Sequence, residues 1–226
     1  MPATLVLLSG GQDSSTCLFW AARAFERVEA LGFDYGQRHE VELRQAAVVA
    51  GIAGAPFTVL RLRDSLGVSV AGATALIGAG DVSAPHALAP ELPASFVPGR
   101  NAVFLAHAAA FAFARGISDV VFGASQTDYS GYPDCREEFV DATARSLGLA
   151  LDSDLRIHTP LMHLSKAETW RLAAELGVVD TIVEHTHTDY NGDRSERHPW
   201  GYGRLDNPAS ILRARGWEEA RDRGWV

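Results

Sequence analysis

Seven consecutive residues, Ser9-Gly10-Gly11-Gln12-Asp13-Ser14-Ser15, concentrate groups that suit an anion. The two glycines let backbone N–H groups come close to a charged ligand. Hydroxyls at positions 9, 14 and 15 add further donors. Asp13 makes sense beside an anion if that anion arrives with magnesium, which a carboxylate holds directly or through water. The set therefore suits a magnesium-bound polyphosphate, pyrophosphate in particular. Neither GxxxxGK[ST] nor GxGxxG occurs here. A glycine-rich turn with a helix cap would use the same residue types. What favours the phosphate loop is its setting, an apolar stretch at 4–8 before it and a helical pattern at 14–25 after it.

A loop of this kind needs a sheet behind it. Strand patterns fall at 4–8, 28–33, 57–62, 119–123 and 156–158, and helical patterns at 14–25, 40–50, 100–115, 134–147 and 165–176. Ser165 with Glu168 forms a capping-box pattern at the start of the last of these helices. Strands alternating with helices predict an α/β fold, a doubly wound parallel sheet of about five strands. In such a sheet ligands bind beyond the carboxyl ends of the strands, where residues 9–15 lie. Two irregular stretches interrupt the alternation. Residues 64–99 are rich in Gly, Ala and Pro and are expected to be an insertion, a lid, a binding loop or disordered. Residues 184–210 hold many polar and aromatic side chains. The expected division is an α/β domain over 1–180 and a small irregular C-terminal module over 181–226.

The 226 residues are enough for one packed domain with a small appendage. A formal net charge of −8 argues against general binding of nucleic acid, which needs a basic surface. No apolar run reaches the roughly 18 residues of a membrane span, and the first residues lack the positive charge of a signal peptide. Two cysteines, Cys17 and Cys135, are too few for a disulfide framework. A cytoplasmic protein is expected.

The motif S-G-G-x-D-S resembles the pyrophosphatase loop of N-type ATP pyrophosphatases. Four longer blocks, GFDYGQRHEVEL (32–43), FVPGRNAVFLAHAAAFA (96–112), TDYSGYPDCREEFV (127–140) and HTPLMHLSKAETWRLAAELG (158–177), resemble the 7-cyano-7-deazaguanine synthase family of the queuosine pathway, as do HPWGYG and LRARGWEEA further on. The resemblance runs essentially end to end. It implies an ATP-dependent C–N ligase, an adenine nucleotide alpha hydrolase-like fold, and ATP with magnesium as cofactors. The implied reaction joins 7-carboxy-7-deazaguanine and ammonia through an acyl-adenylate and an amide to the nitrile. A homodimer is expected, without nucleic acid or membrane partners.

Carried onto these positions, the resemblance assigns Ser9, Gly10, Gly11, Gln12, Asp13, Ser14 and Ser15 to the polyphosphate, with Asp13 also on magnesium. Tyr35, Gln37 and Arg38 follow the second strand, where adenosine is held. Arg100 and Asn101 open a helix and can meet phosphate or carboxylate. Asp128, Tyr129, Tyr132 and Asp134 are assigned to the deazapurine. Lys166, in the first turn of a helix, is unfavourable beside the helix dipole unless an anion is near; it is assigned to the ATP phosphates. Asp13, Lys166 and Arg100 are the expected catalytic groups, acting by position and charge rather than as nucleophiles. Structural alternatives stand beside these roles: Tyr35 as core, Arg100 as a cap, Lys166 as a solvated cation, Asp128 and Tyr132 as turn formers.

The chain departs from the family at one place. Four cysteines, typical there as zinc ligands, align with Asp189, Arg204, Asn207 and Ser210. No zinc site is expected. His185, His187, Asp189 and His198 are a weak substitute set, because their spacing lacks paired ligands on both sides. An Asp189–Arg204 ion pair is expected to join the two segments instead, with Asn207 and Ser210 as local hydrogen-bonding groups. The departure also leaves open an amide ligase acting on a related carboxylate, or a non-catalytic nucleotide binder.

Overall fold

The computed structural model describes residues 2–37, 40–77, 80–82, 84–127 and 132–226. Its centre is a five-stranded sheet, parallel throughout, built from β1 (Ala3–Leu7), β2 (Arg27–Asp34), β3 (Phe57–Arg61), β6 (Asp119–Val121) and β7 (Arg156–His158). The spatial order is β3-β2-β1-β6-β7. The chain moves outward from β1 through β2 to β3, then returns to lay β6 on the other side of β1. That reversal makes the carboxyl ends of β1 and β6 the crevice where ligands bind in open α/β sheets.

Period-2 alternation along β1 sends its side chains to two cores. Leu5 and Leu7 join Leu31, Leu105, Ala108 and Val120 on one face. Val6 and Leu8 join Cys17, Leu18, Ala46 and Val49 on the other. Helices α1 (Gln12–Ala24) and α2 (Glu40–Ala53) cover the second face, while α3 (Arg100–Phe113) and α4 (Glu137–Leu151) cover the first. Every residue of β1 is buried, as a central strand covered on both sides requires.

The predicted strands and helices agree with these elements except at their ends. The last helix shows its cap as the sequence predicts: Ser165 precedes α5 (Lys166–Glu175), its Oγ accepts from the Glu168 N–H at 3.2 Å, and Glu168 Oε2 accepts from the Ser165 N–H at 2.9 Å. The 64–99 stretch contains a short antiparallel pair, β4 (Pro85–His86) and β5 (Ala89–Pro93). Leu66, Leu76, Val82 and Val97 from this stretch are buried in the α3-side core, so apolar residues spaced through it anchor it to the domain.

Beyond α5 come α6 (Val179–His185), a small hairpin of β8 (Arg197–His198) and β9 (Gly201–Tyr202), and α7 (Pro208–Asp222). Trp170 of α5, Ile182 of α6, Trp200 and Ala214 of α7 share one cluster. Position 180 lies inside α6. The Asp189–Arg204 ion pair takes a different form from the one expected. Asp189 Oδ2 accepts from the Arg204 backbone N–H at 3.1 Å, and Oδ1 accepts from Asn191 N–H at 2.7 Å. The Arg204 guanidinium instead lies 3.6–3.8 Å from Asp206, Asp193 and Glu196. The segment's buried N–H groups outbid an exposed side chain for a fully buried carboxylate. Asn207 caps α7 by accepting from the Ser210 N–H at 3.2 Å, and the buried Ser210 hydroxyl donates to the carbonyls of Arg204 and Asn207.

Candidate active site

At the carboxyl edge of β1 and β6 the structure opens a cavity of about 290 Å³. Ser9, Gly11, Gln12, Asp13 and Ser14 form its floor. Gly10 adopts φ +90°, and a Cβ there would strike the Glu42 carbonyl and come within 2.7 Å of Ala46 N, so α2 and the loop approach as closely as glycine permits. Ser14 Oγ ties the loop together, accepting from the Ser9 N–H at 3.2 Å and lying 3.0 Å from Ser9 Oγ. On its other side the loop is held by the C-terminal segment: His187 N–H donates to Gly10 O at 2.9 Å, and Gln12 N–H donates to Thr188 Oγ1 at 3.1 Å. The cap position of α1 is Gly11, which has no side chain to cap the helix, and the Gln12 N–H is met instead by Thr188 from the C-terminal segment. The positive end of that helix therefore faces the cavity without a capping carboxylate or hydroxyl on its own Gly11.

Lys166 reaches the same floor from α5. Its Nζ donates to both Asp13 oxygens at 2.8 Å, and its side chain is only 8% exposed against 34% for Asp13. The ammonium is thus carried into the crevice across the N-terminal end of its own helix, an unfavourable place that an anion would repay. Gly216 of α7 makes room for it. A Cβ on Gly216 would lie 2.5 Å from Lys166 Cγ and 2.8 Å from its Cβ.

The wall is apolar and aromatic. Phe33 stacks on Phe104 with centroids 4.1 Å apart, and Tyr35 meets Phe104 edge-on at 5.6 Å. Both come from the ends of β2 and from α3, which fits a flat heteroaromatic ligand. Burial raises the Tyr35 phenol above its ordinary value and keeps it protonated. The Gln37 amide is committed to the local turn: its Oε1 accepts from Tyr35 N–H at 2.9 Å and its Nε2 donates to Phe33 O at 3.0 Å. Opposite, Tyr132 OH lies 2.7 Å from Ser95 Oγ and 3.3 Å from Tyr190 OH.

Arg100 lines the cavity at the start of α3, and its Nε donates to Asn101 Oδ1 at 3.1 Å. Asn101 spends its remaining groups on the turn before α4. Its N–H donates to Asp134 Oδ2 at 3.2 Å and its Nδ2 to Asp134 O at 3.0 Å. Asp134 is buried behind the cavity wall rather than on it, with its other oxygen unpartnered among the described residues. Ser15 is also fully buried and does not line the cavity. Arg38, Asp128 and Tyr129 lie outside the described residues. Of the sequence-predicted groups, then, Ser9, Gly11, Gln12, Asp13, Ser14, Tyr35, Gln37, Arg100, Asn101, Tyr132 and Lys166 are brought together on one cavity.

Sequence reasoning passed over Glu42, Thr188 and Tyr190, which line the same cavity. Burial pushes the Glu42 carboxyl up to about 8, with Arg100 opposing and Asp189 adding to the rise. Glu42 sits inside the GFDYGQRHEVEL block, four residues before the buried Ala46 of α2, and that spacing was the available signal. Thr188 and Tyr190 sit in an irregular stretch where no periodicity marks a face. Cys135 also lines the wall, but burial pushes its thiol up to about 12, which leaves it protonated and unsuited to nucleophilic attack.

The donor set fits ATP on the structure's own evidence. The buried Gln12 amide has both polar atoms without a partner among the described residues, directly under the loop. Magnesium would meet Asp13 as a single protein carboxylate, with its remaining ligands from phosphate and water, as is usual for this ion. Among the described residues no group of three or more His, Cys, Asp or Glu is placed to hold a metal by itself. Nor is any described helix long and apolar enough to cross a membrane.

Residues 3–221 match the family described as Queuosine biosynthesis protein QueC. A 7-cyano-7-deazaguanine synthase of Wolinella succinogenes is 49% identical over 218 residues, covering 95% of this chain and 92% of that protein. The 7-cyano-7-deazaguanine synthase 1 of Rhodopseudomonas palustris strain HaA2 is 50% identical over 227 residues, covering 97% and 95%. Among solved structures, an NMN synthetase from Francisella tularensis superposes with a TM-score of 0.53 at 12% identity, over 98% of this chain and 86% of that one. A structure described as a predicted subunit of a tRNA methyltransferase from Methanocaldococcus jannaschii gives 0.54 at 19% identity, over 77% and 75%. At such identities the two structures share the fold alone.

Proposed function

Since the chain belongs to the Queuosine biosynthesis protein QueC family, we propose that it converts 7-carboxy-7-deazaguanine and ammonia to 7-cyano-7-deazaguanine at the expense of ATP. The observation that carries this reading is near-50% identity, across almost the whole length of both chains, to curated relatives of that name. The cavity supplies a physical course for it. The substrate carboxylate attacks the α-phosphorus of ATP, pyrophosphate leaves, and an acyl-adenylate forms. Ammonia then attacks the carbonyl carbon and AMP leaves, giving the amide. The amide oxygen then attacks the α-phosphorus of a second ATP and pyrophosphate leaves; loss of the two nitrogen-bound protons and of AMP gives the nitrile.

Ser9, Gly11, Ser14 and the α1 N-terminus surround the departing pyrophosphate, and Lys166 supplies positive charge there. Magnesium, when bound, neutralises phosphate charge. Arg100, on the cavity wall at the start of α3, is a cation suited to the charge on phosphate or carboxylate. Glu42, titrating near 8, is suited to take a proton from the attacking nitrogen, because a group poised near the working pH both accepts and releases protons. Tyr132, Tyr190 and the Phe33–Phe104 stack provide flat and hydrogen-bonding surfaces for the two ring systems.

Incubation of the purified protein with 7-carboxy-7-deazaguanine, magnesium-ATP and ammonium should yield AMP, pyrophosphate and a product with the mass of the nitrile. Accumulation of the amide alone would limit the protein to the first half of the reaction. Absence of AMP with this acid would reject the substrate.

A further inference from the structure

Thr188 occupies a constrained position over the loop. Its Oγ1 accepts from the Gln12 N–H at 3.1 Å and from Arg213 Nη1 at 3.1 Å. A hydroxyl oxygen has two lone pairs and one hydrogen. With both lone pairs taken, the hydrogen has to be donated, and among the described residues it meets no protein acceptor. Thr188 lines the cavity, and its Oγ1 would stand 3.6 Å from a Cβ on Gly11. The donor therefore opens on the space above the glycine loop.

A second observation points the same way. Arg213 of α7 is fully buried. Its Nε donates to Trp200 O at 3.0 Å, its Nη1 also to Thr186 Oγ1 at 2.8 Å, and its Nη2 to Ile182 O at 3.0 Å. All of these acceptors are neutral, and no carboxylate pairs with the guanidinium among the described residues. A buried cation without a counter-ion is costly. Burial accordingly lowers the Arg213 guanidinium to about 9, with the nearby Asp13 charge opposing. An anion in the cavity would offset that cost through the Thr188 hydroxyl.

We infer that Thr188 is a further polyphosphate ligand, its hydroxyl donating to a phosphoryl oxygen above Gly11, and that Arg213 is the positioning residue that fixes this donor's direction. The inference rests on the reading of the loop as the site of ATP. It places a C-terminal residue in direct contact with the leaving pyrophosphate, so that the segment after α6 completes the phosphate site.

The experiment compares inorganic pyrophosphate and AMP as separate probes by calorimetry, on the full chain and on Thr188→Val, Thr188→Ser and Arg213→Lys, with thermal unfolding as a folding control. Thr188→Val should weaken pyrophosphate roughly tenfold to a hundredfold, the size expected for a hydrogen bond to a charged group. AMP affinity should stay unchanged, and Thr188→Ser should restore pyrophosphate binding. Arg213→Lys should weaken pyrophosphate in the same selective way. Equal weakening of both probes in Thr188→Val would mean general distortion and would overturn the inference. So would pyrophosphate binding as tight as in the unaltered chain, and in that case the ATP-site reading survives. Failure of the unaltered chain to bind pyrophosphate or ATP would remove both readings together.

Discussion

Glu42 and Lys166 bring opposite charges to one cavity and are treated differently by it. Lys166 keeps a direct counter-ion in Asp13, whereas Glu42 is desolvated, has no matching ion pair among the described residues, and holds its proton up to about 8. The consequence for stability has a definite sign. The folded chain binds a proton at Glu42 that the unfolded chain, with an ordinary value of 4.5, has released. That contribution is complete below the unfolded value, declines as pH rises, and is gone above about 8. Glu42→Gln, which stays neutral, should lack this slope. Thermal unfolding measured in steps between the two values should show the melting temperature of the unaltered chain falling relative to the variant. Parallel curves would show that Glu42 is ionised in the folded protein.

Packing between α5 and α7 sets where the Lys166 ammonium lies. Gly216 is the contact point, since a methyl group there would overlap the Lys166 stem at 2.5 Å and its backbone carbonyl carbon at 2.9 Å. Gly51 of α2 is also helical but has nothing within 4 Å of a built Cβ. The same substitution should therefore have opposite effects in the two helices. Gly51→Ala should stabilise by about 0.5–1 kcal/mol through backbone entropy. Gly216→Ala should destabilise by about 1–3 kcal/mol through overpacking and also slow ATP–pyrophosphate exchange by displacing Lys166. Chemical denaturation and the exchange assay report the two effects separately. A stabilised, fully active Gly216→Ala protein would show that α7 yields easily.

At the scale of the whole molecule, the C-terminal segment holds the loop after β1 through His187 and Thr188, and is itself held by hydrogen bonds. Asp189, Asn207 and Ser210 are all buried, and each is engaged by backbone groups between 189 and 210. These are the positions where related chains are expected to carry thiols. Because the polar groups here already have partners, prolonged treatment with a strong chelator should leave the unfolding temperature of the ligand-free protein unchanged. A large drop, reversed by zinc, would mean that a metal supplies folding energy after all.

The glycine-serine turn between β1 and α1, the alternation of strands and helices, and the Ser165 capping box were legible because each is a local pattern, set by residues within a few positions of one another. The end-to-end likeness to one family was legible for the same reason, block by block. Element ends shifted by a few residues because packing, not local preference, decides where a strand or helix stops. What tertiary structure alone decided were the long-range pairings. Asp13 meets Lys166 across the crevice, Asp189 meets the Arg204 backbone rather than its guanidinium, and Gln37 turns inward to its own turn. Thr188 joins Gln12 to a buried arginine. Such contacts depend on which buried donor lacks an acceptor once the chain is compact, a condition that no local stretch of residues records.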